Sequence, residues 1–316
     1  MGPVVVMYHD VLGDEPGQFN GLKGVRVSEF EAQLNSLCSR MEPIVHLDLL
    51  HAARERSNLP DNCFYLTFDH ATRDHIDVVL PVLQKQGLTA EFFPMTLPLV
   101  EGKVPTVDKQ RFVQYVAYRE YRSFLDAFCA KVLRVVPEVD LGLIEPSEEN
   151  INQAATYLAE HDFYSLEERF YRYIRNEMLS GEQFARVIDQ MFADFYPDER
   201  AFAAQFYMNF DDLRAMQAAG MIIGGHSHSH PLFSKLPPEE VQWEIAQSHS
   251  ILSEKLNVEI ESFSYPFGDF DSQAIKIVKA NHIAYAFATG NRIVEQSDDL
   301  HSLPRLDAAS LGQIVL

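Results

Sequence analysis

A chain of 316 residues is long enough for one barrel-sized domain, or for a domain that carries a substantial insertion. Its apolar share of 47% and charged share of 23% are those of a folded globular protein and exclude a disordered one. With 26 Lys plus Arg against 46 Asp plus Glu, the net charge of −20 repels phosphate backbones and anionic headgroups, which argues against nucleic acid as a partner.

In chain order, the first apolar run is "VVVMY" at 4–8, followed by "CFYLTF" at 63–68 and "AEFFPM" at 90–95. Between the last two lies "RDHIDVVLPVLQKQG", in which Ile76, Val79, Leu80 and Leu83 recur at helical spacing and Gly87 closes the run, so a β-α-β unit is predicted. From 102 to 208 the rhythm changes to long, aromatic-rich segments of helical period without a clear strand, with Tyr115, Tyr118, Phe124, Phe163, Tyr164, Phe170 and Tyr171 expected mainly as packing residues. This stretch is predicted to be an all-helical insertion, and a surface through which the protein could form oligomers.

Alternation resumes with a helix over "DDLRAMQAAG", a strand at "MIIGGH" and a helix over "PEEVQWEIAQSHSILSEKLN" that has Pro at its start. A strand at "IESFSYPFG", a helix at "DSQAIKIVKANH" and a strand at "IAYAFAT" complete the pattern. Repeated β-α alternation implies a parallel sheet or barrel. The three cysteines, Cys38, Cys63 and Cys129, are widely spaced and form no Cys-x-x-Cys pair, so buried thiols in a reducing compartment are expected. No apolar run reaches the roughly 20 residues of a membrane span and the chain opens without a basic, signal-like segment, which gives a cytoplasmic expectation.

Loops at the carboxyl ends of parallel strands gather active sites. Asp69-His70, "HSHSH" at 226–230 and "YPFGDF" at 265–270 each follow a predicted strand and are expected at one mouth. If the chain turns into a helix at 226–230, His226 and His230 share a face and His228 points elsewhere. Two such imidazoles leave room for a third ligand, naturally His70, and an open position on a divalent metal.

Together these stretches resemble the polysaccharide deacetylases of the NodB-homology type, carbohydrate esterase family four. That family's Thr-Phe-Asp-Asp-Gly motif corresponds to "TFDHA", its His-Ser/Thr-x-x-His motif to "HSHSH", and its Arg-x-Pro-Tyr-Gly motif to "SYPFG" at 264–268; "VVVMYHDV" is also similar. The resemblance covers roughly 1–101 and 209–307. It implies a distorted (β/α) barrel, discontinuous over 1–101 and 209–316 and interrupted at 102–208. It further implies Asp69 as general base, His226 and His230 as metal ligands, and the Phe267 backbone N–H as oxyanion donor.

Three residues depart from the pattern. His70 replaces the metal-binding Asp and either forms a three-imidazole site suited to zinc or empties the site. Ser264 replaces the motif's Arg, and Arg305 in "LPRLD" is expected either to pair with Asp69 or to lie in a surface ion pair. No late Leu-x-His supplies a general acid, which leaves His301, His75 and His9 as candidates. Asp10 is expected to line the site, and Asp74 to cap the helix that follows it.

The function so implied is metal-dependent removal of an N-acetyl group from an amino sugar of a surface polysaccharide or its precursor. The alternatives are a sugar N-deformylase of the same fold and a degenerate barrel that binds glycan without turnover.

Overall fold

The computed structural model describes residues 2–15, 17, 19, 21–55, 57–118, 120–159 and 164–314. The chain forms two compact units, one of Met1–Gly17, Gly24–Lys103 and Arg200–Leu316, the other of Gln18–Lys23 and Val104–Glu199.

The first unit is a mixed α/β structure built on a parallel sheet. Its strands are β1 (Val4–Tyr8), β2 (Val11–Leu12), β3 (Val25–Arg26), β4 (Glu42–Pro43) and β5 (Cys63–His70). After them come β6 (Glu91–Pro94), β7 (Ile222–Ile223), β8 (Ser262–Ser264), β9 (Tyr285–Phe287) and β10 (Leu306–Asp307). The main sheet runs β10-β1-β5-β6-β7 with β4 beside the start of β5, and β2-β3 and β8-β9 form separate pairs. Isolated parallel bridges join Gly225 to Phe263 and Phe287 to Leu303. Every residue of β1 and β5 is buried, which is why β1 and the first half of β5 read as apolar runs rather than as alternating ones.

Alternation along β5 sends Phe64, Leu66 and Phe68 to a core shared with Val4, Val6, Phe30, Leu34 and Leu83. Cys63 and Tyr65 go to the other face with Val5, Phe93, Tyr285 and Phe287. The same alternation puts Thr67 and Asp69 on that second face. The predicted helix after β5 begins as a π-helical turn, His75–Val79, continues as Leu80–Gln86 and ends on Gly87 in the left-handed conformation, as its position demanded. No helix among the described residues is long and apolar enough to cross a membrane.

In the second unit, Tyr121–Val135 and Gly181–Phe195 are the longest helices, and Ser165 and Ser180 each close a capping box, with Glu168 and Gln183. Phe124, Phe128, Tyr171, Val187 and Ile188 form buried packing there. Of the aromatics singled out from the sequence, Phe124, Phe170 and Tyr171 are buried, whereas Tyr115, Tyr118 and Tyr164 are partly exposed. Phe163 lies outside the described residues.

The second face of the sheet also encloses a carboxyl group. Glu91 accepts hydrogen bonds from the hydroxyls of Tyr65 (3.0 Å), Tyr285 (3.1 Å) and Ser262. Burial pushes this carboxyl above its ordinary range, and the neighbouring His46 and the three hydroxyl donors recover only part of that shift. With a folded-state pKa above the unfolded one, the contribution of Glu91 to stability is full below the ordinary glutamate value and is lost as pH rises through the raised one. Glu91→Gln should therefore gain melting temperature relative to the wild type as pH is taken from about 4 to about 8. Thermal unfolding at a series of pH values checks this, and a difference independent of pH would refute it.

Candidate active site

Asp69, next to last in β5, has a fully buried side chain, and a charge in that position needs a partner. Arg305, one residue before β10, supplies it: its terminal nitrogens donate to the two carboxylate oxygens at 2.9 and 2.8 Å. The same guanidinium donates to Thr67 Oγ1 (3.2 Å), Ser264 Oγ (2.8 Å) and the carbonyl of Ala288 (2.9 Å), so all five of its N–H groups are used. Ser264 Oγ in turn donates to Asp69 at 3.2 Å. Burial alone would raise the Asp69 carboxyl, but Arg305 above all, then His226 and His9, overrides it and holds the group well below the carboxylate range. Arg305 is thus in the core with Asp69, and the surface ion pair considered for it does not form.

One ring nitrogen from each of His70, His226 and His230 lies within 4.8 Å of the others, and all three residues are buried. The convergence is not helical. Residues 226–230 form an irregular bend in which Ser227 and His230 both have φ of +62°, and the bend turns the chain so that both rings point inward. His70 (φ +77°), Ala71 (φ +55°) and Phe267 (φ +58°) are in the left-handed region as well. Such residues cost about 1–3 kcal/mol each and persist where surrounding structure imposes them. Here Met208 N–H donates to the carbonyl of Ala71 at 3.1 Å, and Thr72 bridges Tyr207.

The donor set fits a metal by an observation independent of its spacing. His226 Nδ1 lies 2.7 Å from the carbonyl of Ser264, which only an N–H can satisfy, so Nδ1 carries the proton and Nε2 the lone pair. That Nε2 is buried without a hydrogen-bond partner. A second hydrogen bond fixing the tautomer of an imidazole is the usual setting of a metal ligand. Burial lowers the His226 imidazole to about 4, against a partial opposing effect of Asp69, so the ring is neutral at pH 7.

The remaining sequence candidates separate clearly. Phe267 packs edge-on against His230 with ring centroids 4.5 Å apart. His9 meets His70 edge-on at 5.2 Å. His75 is buried against Phe68 and Phe92, with Nε2 2.6 Å from the carbonyl of His9, and acts as a brace. His301 is not joined to this cluster: its ring nitrogens contact Asp299 (3.2 Å) and the carbonyl of Ile283 (3.1 Å), at the amino end of β9, whereas Asp69 is at the carboxyl end of β5. Asp10 is buried. Asp74 does not cap its helix with its side chain; that carboxylate accepts from Val11 N–H at 2.5 Å.

Glu244 was missed by motif reading. From the helix Pro238–Leu256 its carboxylate accepts from the backbone N–H groups of His228 and Ser229, both at 2.8 Å, and from the Ser229 hydroxyl. Its signal was present in the periodicity, since it shares a buried helical stripe with Val241, Ile245, Ser248 and Leu252.

Removing one member of the buried pair should expose its energetics. Arg305→Met is expected to destabilise by about 3–5 kcal/mol because Asp69 loses its counter-charge. The double variant Arg305→Met with Asp69→Asn should recover part of that loss in denaturant unfolding, and strict additivity would refute the coupling.

Residues 190–286 match the family model described as Polysaccharide deacetylase, a span that holds the "HSHSH" and "SYPFG" segments but neither Asp69 nor Arg305. No curated protein matches by sequence. Among solved structures, the chain is similar to the Streptococcus pyogenes deacetylase PplD in complex with acetate (TM-score 0.59, 14% identity, 100% of this chain and 99% of that one). It is also similar to IcaB from Ammonifex degensii (0.56, 16%, 99% and 94%). A de-N-acetylase from Aggregatibacter actinomycetemcomitans shares the fold as well (0.53, 15%, 97% and 95%). The chain is thus similar in sequence to the Polysaccharide deacetylase family model over residues 190–286, and similar in fold to these three solved structures over 97–100% of its length.

Proposed function

We propose that the protein is a metal-dependent hydrolase that removes an N-acetyl group from an amino sugar of a surface polysaccharide or its precursor. The observation that carries this reading is the convergence of His70, His226 and His230 next to an ionised, buried Asp69. An all-imidazole set suits zinc, which when bound would supply Lewis acidity toward water and the amide carbonyl. Asp69 accepts the proton of the attacking water, and Arg305 keeps it ionised and oriented for that task. The Phe267 backbone N–H, carried on a left-handed turn, donates to the oxyanion, a role for which the side chain needs no hydroxyl. His9 protonates the departing amine, a role supported by its ring contact with His70. His301, already engaged by Asp299 and Ile283, drops out of that role.

A distorted barrel is the architecture we assign to the first unit, supported by the isolated bridges that continue the pairing from β7 to β8 and from β9 to Leu303. Residues 102–208 are read as its helical insertion and as a surface for oligomer contacts, the former supported by the compact helical unit within Val104–Glu199.

Metal per chain by mass spectrometry and amine release from N-acetylglucosamine oligomers test the function. Close to one zinc or similar ion is expected for the wild type and for His70→Asp, and a large loss for His226→Ala. Asp69→Asn should keep the metal while its kcat falls by about 100-fold or more. Full turnover by Asp69→Asn would refute the assignment of the base.

A further inference from the structure

His226 and His230, two of the three converging imidazoles, stand at the ends of a five-residue segment outside any helix or strand, so no regular ladder holds the backbone between them. Two of the five, Ser227 and His230, are left-handed, a conformation that non-glycine residues keep only where contacts impose it.

Those contacts come from two sides. On one, the first turn of the helix Thr96–Glu101 takes the carbonyls: Thr96 N–H donates to Ser227 at 3.4 Å and Leu97 N–H to His228 at 2.9 Å. Thr96 Oγ1 also lies 2.9 Å from His228 Nδ1, which holds that ring apart from the three converging ones. On the other side, a single oxygen of Glu244 accepts both peptide N–H groups midway between the two ligands, those of His228 and Ser229, and the second oxygen accepts the Ser229 hydroxyl.

Glu244 is 5% exposed, and all three of its donors are neutral. A carboxylate taken out of water is better matched by a cation, so hydrogen-bond geometry rather than charge pairing explains a glutamate here. Its helix cannot swing away, because Val241 and Ile245 on the same stripe pack with Phe233, Phe263 and Tyr265.

We infer that Glu244 is a positioning residue for the metal: by fixing the backbone at 228–229 it aims His226 and His230 before the ion arrives. Without it, part of the binding free energy goes into ordering the segment. The inference rests on the hydrolase reading given above and deepens it.

The test is the zinc affinity of the metal-free protein, titrated in competition with a chromophoric chelator. Glu244→Ala should weaken zinc binding about 10–100-fold. Glu244→Gln can still accept both N–H groups through Oε1 and donate through Nε2 to Ser229 Oγ, so it should stay within about threefold of the wild type. Glu244→Asp keeps the charge but is one methylene short, and should weaken binding nearly as much as alanine does. Thermal unfolding of the metal-free chains shows which variants are folded, and the aspartate variant decides the matter if the alanine variant is not. Wild-type affinity in both the alanine and aspartate variants would overturn the positioning role and leave the hydrolase standing. A glutamine variant as weak as alanine would overturn positioning by hydrogen bonds. The expected order of affinities without amine release from any N-acetylated sugar would support the clamp and overturn the hydrolase, and a wild type that binds no zinc would overturn both.

Discussion

A carboxylate stripped of water is tolerated only where its charge is matched, and at Asp69 the match comes from Arg305, 236 residues away in the chain. Pairing of β1 with both β5 and β10 makes that contact possible, because Val6 is in register with Leu66 on one side and Leu306 on the other. The guanidinium then spends all five donors on fixed acceptors from β5, β8, Ala288 and Asp69 itself. With Ser264 both accepting from Arg305 and donating to Asp69, the carboxylate is oriented from two sides. The small Ser264 side chain at the motif's arginine position is thus compatible with a guanidinium that reaches the same carboxylate from another strand.

The histidines depend on a different constraint. Left-handed residues at 70, 71, 227, 230 and 267 bend the chain ends of several strands into a common space. None of the five is glycine, so each stores strain that neighbouring contacts have to offset. Glu244 and Ser227 are part of that compensation, the first through the N–H groups of His228 and Ser229 and the second through a hydroxyl that accepts from His230 N–H at 3.0 Å. Asp74 and His75 do the same for the loop after β1, holding the backbone of Val11 and His9 and so the ring of His9 beside His70.

Much of the local structure was legible because its causes are local. Apolar runs bounded by turn residues marked β1, β5 and β6, and Gly87 marked the end of the helix between the last two. The strands at "MIIGGH" and "IESFSYPFG" are short, because after Ile223 the chain passes from β6 to β8, Gly224 N–H donating to Phe92 and Gly225 bridging Phe263, and because the turn at Pro266 ends β8. Period alone could not distinguish Asp74 as a cap from Asp74 as a loop brace, because the deciding donor, Val11 N–H, is 63 residues away.

By itself, the sequence determined the α/β alternation, the helical character of the middle segment and the set of acids and histidines at strand ends, all consequences of short-range period and residue type. It could not decide which distant groups meet. That Arg305 is buried against Asp69, that His9 rather than His301 joins the histidines, and that Glu244 clamps their loop are matters of sheet order and register. The physical reason is that a side chain's charge partner and solvent access are set by the strands packed around it, which period and composition do not encode.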